Sequence, residues 1–279
     1  MLMNPTYNLL KKYYKGSKRY FISSLSFPSE YREKVAIVYN FCRLVDNSVD
    51  EAGKAEMSFA DIRDDYYKCL ETDLCTNDTV KLFVKVLKEN NIQNKWIEAL
   101  FSSMQMDLER RKYISINETL EYVYGVAEVI GLMMCQILEI DAKAHKYAMA
   151  LGRAAQWINF IRDISEDYSN GRVYFPENDL KLFHIRSFNR KEVMENKDNF
   201  IEFINFQSKR FYEWVNIAES GYKYIPNNVR NPIIYSTELD KWKMSEILKN
   251  PLLIYEKKFN PSTKQIVREI IKIKISGRT

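Results

Sequence analysis

The sequence predicts an all-α protein, and two observations support that prediction. Only eight glycines and seven prolines occur among 279 residues, too few turn residues for an all-β fold of this length. Apolar residues also recur at steps of three and four along most of the chain, the spacing that places them on one helix face. No repeat or Gly/Ser linker divides the chain, so we interpret residues 1–279 as a single domain.

The first predicted helix covers residues 29–50 and begins directly after Pro28, because the first turn of a helix tolerates proline. Further helices are predicted over 57–72, 78–90, 93–111, 117–138, 142–169, 189–222, 232–249 and 262–275. Glycine, asparagine and proline mark the breaks between them, at Gly53, Asn77-Asp78, Asn90-Asn91, the Gly171–Pro176 turn, Pro226 and Pro251.

The charge distribution argues against a nucleic-acid partner. The formal net charge is only +5, and no basic tail or stripe concentrates it. The N-terminus lacks the apolar run of a signal peptide, and the most apolar stretch, Val129 to Ile140, is shorter than the roughly 20 residues that span a bilayer. We therefore expect a cytoplasmic protein that makes at most peripheral membrane contact.

The cysteines give no sign of a metal site or a disulfide framework. Cys42, Cys69, Cys75 and Cys135 form no CxxC pair and have no histidine partners at zinc spacing. In a cytoplasmic protein such residues are expected to be reduced thiols.

Two segments repeat one arrangement of polar side chains. Four residues of the first lie three or four apart, as do four of the second: Tyr39, Arg43, Asp46 and Asp50, then Gln156, Asn159, Asp163 and Asp167. This spacing places each set on one helix face, with two carboxylates one turn apart. A single acidic pair of this kind is ordinarily a solvated surface. Two pairs, both among strongly apolar neighbours, favour a binding site.

Carboxylates one turn apart repel each other, so a pair that packs inward needs a compensating cation. Oxygen ligands without histidine select a hard ion. Mg²⁺ is therefore the expected ion, Mn²⁺ is an alternative, and a bound diphosphate would complete the shell.

At this point the sequence resembles a known family. FCRLVDNSVDE (41–51) and GRAAQWINFIRDISEDYSNGRVYFP (152–176) are similar to the two signature motifs of the squalene/phytoene synthases. The second segment matches most fully, at Gln156, Asn159, Arg162, Asp163, Glu166, Asp167, Gly171, Arg172, Tyr174 and Pro176. Weaker similarity covers residues 17–43 and 104–134, and a looser one covers 232–248.

The resemblance implies the isoprenoid synthase fold, a bundle of about ten or more helices around a central cavity. It implies that five residues bind the metal ions: Asp46, Asp50, Asn159, Asp163 and Asp167. It gives catalytic roles to the four aspartates together with Tyr39, Arg43 and Arg162. It assigns substrate binding to Ser17, Arg19, Tyr124, Gln156, Asn159, Arg172 and Tyr174.

The implied reaction is the magnesium-dependent head-to-head coupling of two prenyl diphosphates. We expect two geranylgeranyl diphosphates to give phytoene through prephytoene diphosphate, since the compact length favours the carotenoid branch. C15 coupling to squalene or dehydrosqualene is the alternative within the family, and only squalene formation adds hydride from NADPH. An alternative of another class is a non-catalytic assembly protein on the same fold. The oligomeric state stays open.

Three positions depart from the family pattern. Asn47 replaces the second aspartate of the first motif, Arg19 replaces a serine, and Glu128 replaces a glycine that usually permits close helix packing. All four aspartates are retained, which favours an active enzyme over an assembly protein.

Overall fold

The structure, a computed structural model, describes residues 5–50, 55–109 and 112–275 and is helical along most of them. The all-α prediction is thereby confirmed. In the described residues the α-helices are α1 (Pro5–Gly16), α2 (Lys18–Ser24), α3 (Ser29–Asp50), α4 (Phe59–Thr72), α5 (Asp78–Glu89), α6 (Asn94–Glu109), α7 (Ile116–Val123), α8 (Val129–Ile137), α9 (His145–Ser169), α10 (Glu177–Leu182), α11 (Arg190–Glu195), α12 (Lys197–Glu219), α13 (Asn227–Lys249) and α14 (Thr263–Ile275).

The helix predicted over 189–222 is two helices, because the chain breaks at Asn196. The backbone of Asn196 leaves the helical region, and its side-chain Nδ2 donates to the carbonyl of Glu192 at 3.1 Å. Asparagine competes with helical hydrogen bonding in this way. The helix predicted to begin at residue 232 instead begins at Asn227 and contains Pro232.

The segment predicted as a turn before Pro176 contains a short buried strand. Strand β2 (Val173–Pro176) pairs in parallel with β1 (Lys112–Tyr113), and all four residues of β2 are buried. The pairing joins the chain after α6 to the chain after α9, which holds the end of the second acidic motif against the bundle.

Helices α7 and α8 are joined by a π-helical turn, Tyr124–Glu128, where the backbone comes very close to its neighbours. A Cβ atom at Gly125 would overlap the carbonyl oxygen of Ala99 on α6, and one at Gly152 would overlap that of Ala127. Close packing of the π turn therefore depends on Gly125 and Gly152, although the family's glycine at position 128 is replaced by glutamate.

By length and composition, the stretch Ile116–Ile137 is apolar enough to cross a membrane, at a mean hydropathy of 1.3. Half of that window is buried inside the protein. The π turn within it packs on α6 and α9, so in this structure the stretch is a core helix.

The expectation of four reduced cysteines was wrong for two of them. Cys69 and Cys75 form a disulfide with their Cα atoms 4.7 Å apart. Asp73 ends α4 in the left-handed conformation (φ 59°) and turns the chain back on itself, which brings Cys75 over the last turn of the helix. Cys42 and Cys135 are free thiols.

The apolar interior contains two large clusters, one built mainly from α1, α3–α6 and α8, the other from α7, α9, α12 and the chain around them. Helix α9 packs on α12, α8, α13 and the π turn. The helix that carries the second acidic motif thus lies in the middle of the protein.

Candidate active site

The first acidic pair lies at the C-terminal end of α3, where each carboxylate has an arginine partner. Arg43 donates to Asp46, and Arg172, from the end of the second motif, donates to Asp50. The Arg172 side chain is 10% exposed and the Asp50 side chain 41%. This contact joins residues 122 positions apart in the sequence and brings the two motifs together.

The second acidic pair lies on the last turns of α9. Arg162 forms a two-pronged hydrogen bond with Asp163, its Nε donating to Oδ1 at 2.7 Å. Asp167 lies one turn further on and is half-buried. Its pKa is raised to about 8, first by burial and then by the negative charges of Asp163 and Asp50.

The electrostatics show that the two acidic pairs share one environment. Asp50 on α3 raises the pKa of Asp167 on α9, and the positive charge of Arg172 opposes that rise. Surrounding protein raises the pKa of Asp46 to about 6, Arg43 opposes the shift, and Asp50 and Asp107 add to it. Asp46 keeps 38% of its side-chain surface exposed. Asp50 and Asp167, one from each pair, therefore lie close enough to influence each other.

The donor set suits a hard divalent cation. Carboxylate oxygens held near one another, two of them with raised pKa values, are stabilised when a cation neutralises them. Asn47, beside Asp46, has a buried Oδ1 that accepts no hydrogen bond within the described part of the chain. Over the same residues no three acidic, histidine or cysteine side chains are grouped closely enough to hold an ion as they stand. Asp46, Asp50 and Asp163 each bind an arginine instead.

A buried acid that the sequence analysis missed, Asp107, binds two tyrosines next to this site. Asp107 on α6 accepts hydrogen bonds from the hydroxyls of Tyr122, at 2.6 Å, and Tyr174, at 2.9 Å. The ring of Tyr174 stacks on Phe160 at 4.4 Å. Tyr174, predicted to bind substrate, is thus buried and held by Asp107. The family motif around Tyr174 does not indicate Asp107 as its partner. The one available signal is that Asp107 lies on the same helix face as the apolar residues Leu100 and Met104.

A second missed group is a buried charge cluster of Arg19, Asp240 and Lys243. Arg19, on α2, pairs with Asp240 on α13, and the Lys243 ammonium lies 3.2 Å from the same carboxylate oxygen. All three side chains are less than 10% exposed. Burial, followed by the charge of Arg19, lowers the pKa of Lys243 to about 7. Arg162 is near enough to contribute to the same shift, so the cluster adjoins the second motif.

The remaining predicted residues occupy several environments. The hydroxyl of Ser17 caps α2 by accepting from the backbone N–H of Tyr20 at 3.2 Å. The ring of Tyr39 packs 4.5 Å from that of Tyr13, and burial raises the Tyr39 pKa to about 12. Tyr124 begins the π turn and is half-buried. Gln156 and Asn159 are half-buried on the same face of α9 as Asp163.

Glu128, the departure from the family's glycine, points into the protein. It is buried and accepts a hydrogen bond from Arg153 Nε at 2.7 Å.

A cavity of about 740 Å³ opens elsewhere, between α4 and α6, and none of the predicted site residues lines it.

The raised pKa values predict how pH changes the stability of EDTA-treated protein. The folded pKa values of Asp46 and Asp167, about 6 and 8, exceed the ordinary 3.8. Protonation therefore favours the folded state, and this contribution is lost as pH rises through the folded values. We expect the free energy of unfolding to fall between about pH 4 and pH 8, and urea titrations across this range measure the fall.

The variant Asp167→Asn should lose part of that pH dependence, because its side chain cannot ionise. Asp64→Asn is the matched control, since the Asp64 side chain is 78% exposed and should behave as the native protein does. If the free energy of unfolding of Asp167→Asn changed with pH as steeply as that of the native protein, the raised pKa of Asp167 would be contradicted.

Taken together, the fold and site define an all-helical protein in which the acidic ends of two helices lie near each other beside several arginines. A family model described as squalene/phytoene synthase matches residues 14–263. The chain therefore belongs to the squalene/phytoene synthase family, as its motifs predicted, and is a prenyltransferase.

Two relatives are similar to this chain over most of their length. The chain is 24% identical over 260 residues to a 15-cis-phytoene synthase of Synechococcus elongatus, covering 87% of this chain and 83% of that one. It is 25% identical over 230 residues to a 4,4'-diapophytoene synthase of Staphylococcus haemolyticus, covering 80% and 76%.

Solved structures share the fold. A dehydrosqualene synthase superimposes with a TM-score of 0.83 at 19% identity, covering 98% of this chain and 96% of that one. A squalene synthase from Alicyclobacillus acidocaldarius superimposes with a TM-score of 0.76 at 18% identity, covering 92% and 95%. The predicted isoprenoid synthase fold is confirmed.

Proposed function

We propose that the protein couples two geranylgeranyl diphosphates head to head to give phytoene and two diphosphates. The observation that carries the proposal is the proximity of the two acidic pairs, with Asp50 of α3 and Asp167 of α9 in one electrostatic environment that also contains Arg172. The name of the Synechococcus relative, a 15-cis-phytoene synthase, supports the C20 substrate.

The first task of the site is to let diphosphate leave. As the allylic C–O bond breaks, the electron pair goes to the diphosphate, whose growing charge must be neutralised. Asp46, Asp50, Asn159, Asp163 and Asp167 would hold Mg²⁺, which supplies Lewis-acid stabilisation of the leaving group. The guanidinium groups of Arg43, Arg162 and Arg172 already lie beside these acids and add positive charge at the same place.

The second task is to protect the cation that remains on the substrate. The double bond of the second molecule attacks it, and loss of a proton gives a cyclopropylcarbinyl diphosphate. A second ionisation, rearrangement and proton loss complete the hydrocarbon. Water must be kept out throughout. Trp157, Ile158 and Ile161 of α9 are buried and lie on the face of the helix opposite the acids, so they hold the helix in the core behind the site.

Coupling of two farnesyl diphosphates is the second candidate. The name of the Staphylococcus relative, a 4,4'-diapophytoene synthase, favours a C15 substrate. Purified protein incubated with C15 or C20 diphosphate, with and without NADPH, distinguishes the candidates by the mass of the hydrocarbon. We expect a C40 product without NADPH. A C30 product alone would replace the first candidate by the second, and absence of both hydrocarbon and diphosphate release would refute coupling.

The same assay tests the metal requirement. Because the acids need a cation to stabilise the leaving group, EDTA is expected to abolish hydrocarbon formation, and Mg²⁺ in excess of EDTA to restore it, with Mn²⁺ as a possible substitute. Ca²⁺, larger and more loosely coordinated, serves as the comparison ion. Undiminished turnover in EDTA would remove the metal assignment.

A further inference from the structure

Helix α14 carries an exposed apolar stripe that the reaction does not use. Val267, Ile271 and Ile275 are 43%, 50% and 81% exposed. Their four-residue spacing places them along one side of the helix. Three exposed branched aliphatic residues in a row are unusual on a surface that faces only water.

The opposite side of α14 already anchors the helix to the protein. Ile266 and Ile273 are buried, at 0% and 5% exposed, and Ile273 packs with Ile234 and Tyr235 of α13. Helix α14 also contacts α2. Since this separate face fixes the helix, the exposed stripe is not needed to hold α14 in place.

Positive charge borders the stripe. At 100° per residue, Lys274 lies on one edge, Arg268 and Lys272 on the other, and Lys264 at the N-terminal end. The one acid of α14 is Glu269, which is half-buried and binds Arg268 at 3.2 Å and Lys272 at 2.9 Å. Four basic residues against one acid leave the exposed face positive. A shallow trough of about 450 Å³ runs along it between Lys264 and Lys272.

We propose that α14 docks the protein on an anionic lipid bilayer. The stripe of Val267, Ile271 and Ile275 enters the boundary between headgroups and acyl chains, and the flanking basic side chains bind lipid phosphates. This combination of apolar strip and basic border is the arrangement of helices that lie in a membrane interface. A water-facing protein partner would need acidic residues of its own to match the basic border, whereas an anionic bilayer supplies the negative charge at every position along it.

The proposal is tested by vesicle flotation without substrate, so its outcome is independent of the proposed reaction. Native protein is expected to float with vesicles of phosphatidylcholine and phosphatidylglycerol and to remain mostly unbound with phosphatidylcholine alone. Salt should weaken the binding, because screening reduces attraction between the basic residues and the lipid charge.

Two variants separate the apolar and the electrostatic contributions. Ile271→Glu with Ile275→Glu should lower the partition coefficient by about tenfold or more, because glutamate removes apolar area and adds repulsion. Lys264→Gln with Lys274→Gln should lower it by about tenfold and reduce its salt dependence. The matched control, Leu74→Glu with Leu182→Glu, changes residues that are 66% and 64% exposed elsewhere and should bind as the native protein does.

Circular dichroism and the thermal midpoint establish that each variant is folded. Equal partition of native protein into anionic and neutral vesicles would overturn the proposal, as would unchanged binding by the double glutamate variant. So would a concentration-dependent dimer in sedimentation that the glutamate variant lacks, together with no vesicle binding, because the stripe would then be a protein interface.

Discussion

The variant Asp163→Asn is expected to turn over about a thousandfold more slowly than the native enzyme while folding normally. Removal of one pre-positioned group that stabilises developing charge costs about 10²–10³ in rate. We expect the upper end of that range for Asp163, a proposed ligand of the metal ion that stabilises the leaving group. Asparagine keeps the size of the side chain and removes one of the repelling charges around Asp167, so the thermal midpoint should not fall. Release of diphosphate from geranylgeranyl diphosphate, the proposed substrate, measures the rate.

Asp46→Asn on α3 is expected to have an effect of the same order, because the proposed metal ligands come from both helices. The matched control is Asp64→Asn, a substitution of the same type at an exposed position of α4, which should leave the rate unchanged. Full activity in either Asp46→Asn or Asp163→Asn would show that the acids have another role.

The second large effect is on stability, at the buried cluster of Arg19, Asp240 and Lys243. Asp240→Ala should lower the free energy of unfolding by about 3–5 kcal/mol, the cost of leaving buried charge without its partner. Asp240 is the acid that pairs with both cations, and it is itself 3% exposed. Urea unfolding monitored by circular dichroism measures the change.

Lys243→Met provides the opposing variant, because it removes one of the two buried cations and leaves Arg19 paired with Asp240. Replacement of buried charge by an apolar residue of similar volume is often neutral or stabilising, so we expect a change of about 1 kcal/mol at most. Equal destabilisation by both substitutions would mean that the ammonium of Lys243 is as important to the fold as the carboxylate.

Local periodicity was enough to predict the long helices and to place the four aspartates. The predicted segment 29–50 coincides with α3 (Ser29–Asp50), and 142–169 contains α9 (His145–Ser169). Acids at a four-residue spacing on one helix share a face whatever the tertiary structure. The resemblance then supplied what periodicity could not, namely that two such faces belong to one site.

Local periodicity could not predict contacts between segments that are distant in the sequence. Asp107 and Asp240 have partners, Tyr174 and Arg19, that lie 67 and 221 positions away in the sequence. A buried acid requires a partner, but its position in the sequence does not identify that partner. The disulfide of Cys69 and Cys75 was missed for a related reason, since it depends on the left-handed turn at Asp73.

The sequence did not identify which glycines allow helices to approach closely, because backbone contact depends on packing partners. Glu128 stands where the family has a glycine, yet the π turn packs closely on α6 at Gly125 and on α9 at Gly152. Glu128 is accommodated by Arg153. The departure from the family pattern is thus matched by a charge on the adjacent helix.

The central position of α9 determines how the site can respond to ligands. Because this helix is packed on several sides, its backbone hydrogen bonds cannot open locally without exposing both apolar clusters. The backbone that carries Asp163 and Asp167 is therefore fixed. When a substrate binds, only the carboxylates and their arginine partners adjust, by rotation of their side chains. The site thus combines a rigid helix backbone with charged side chains that can rotate.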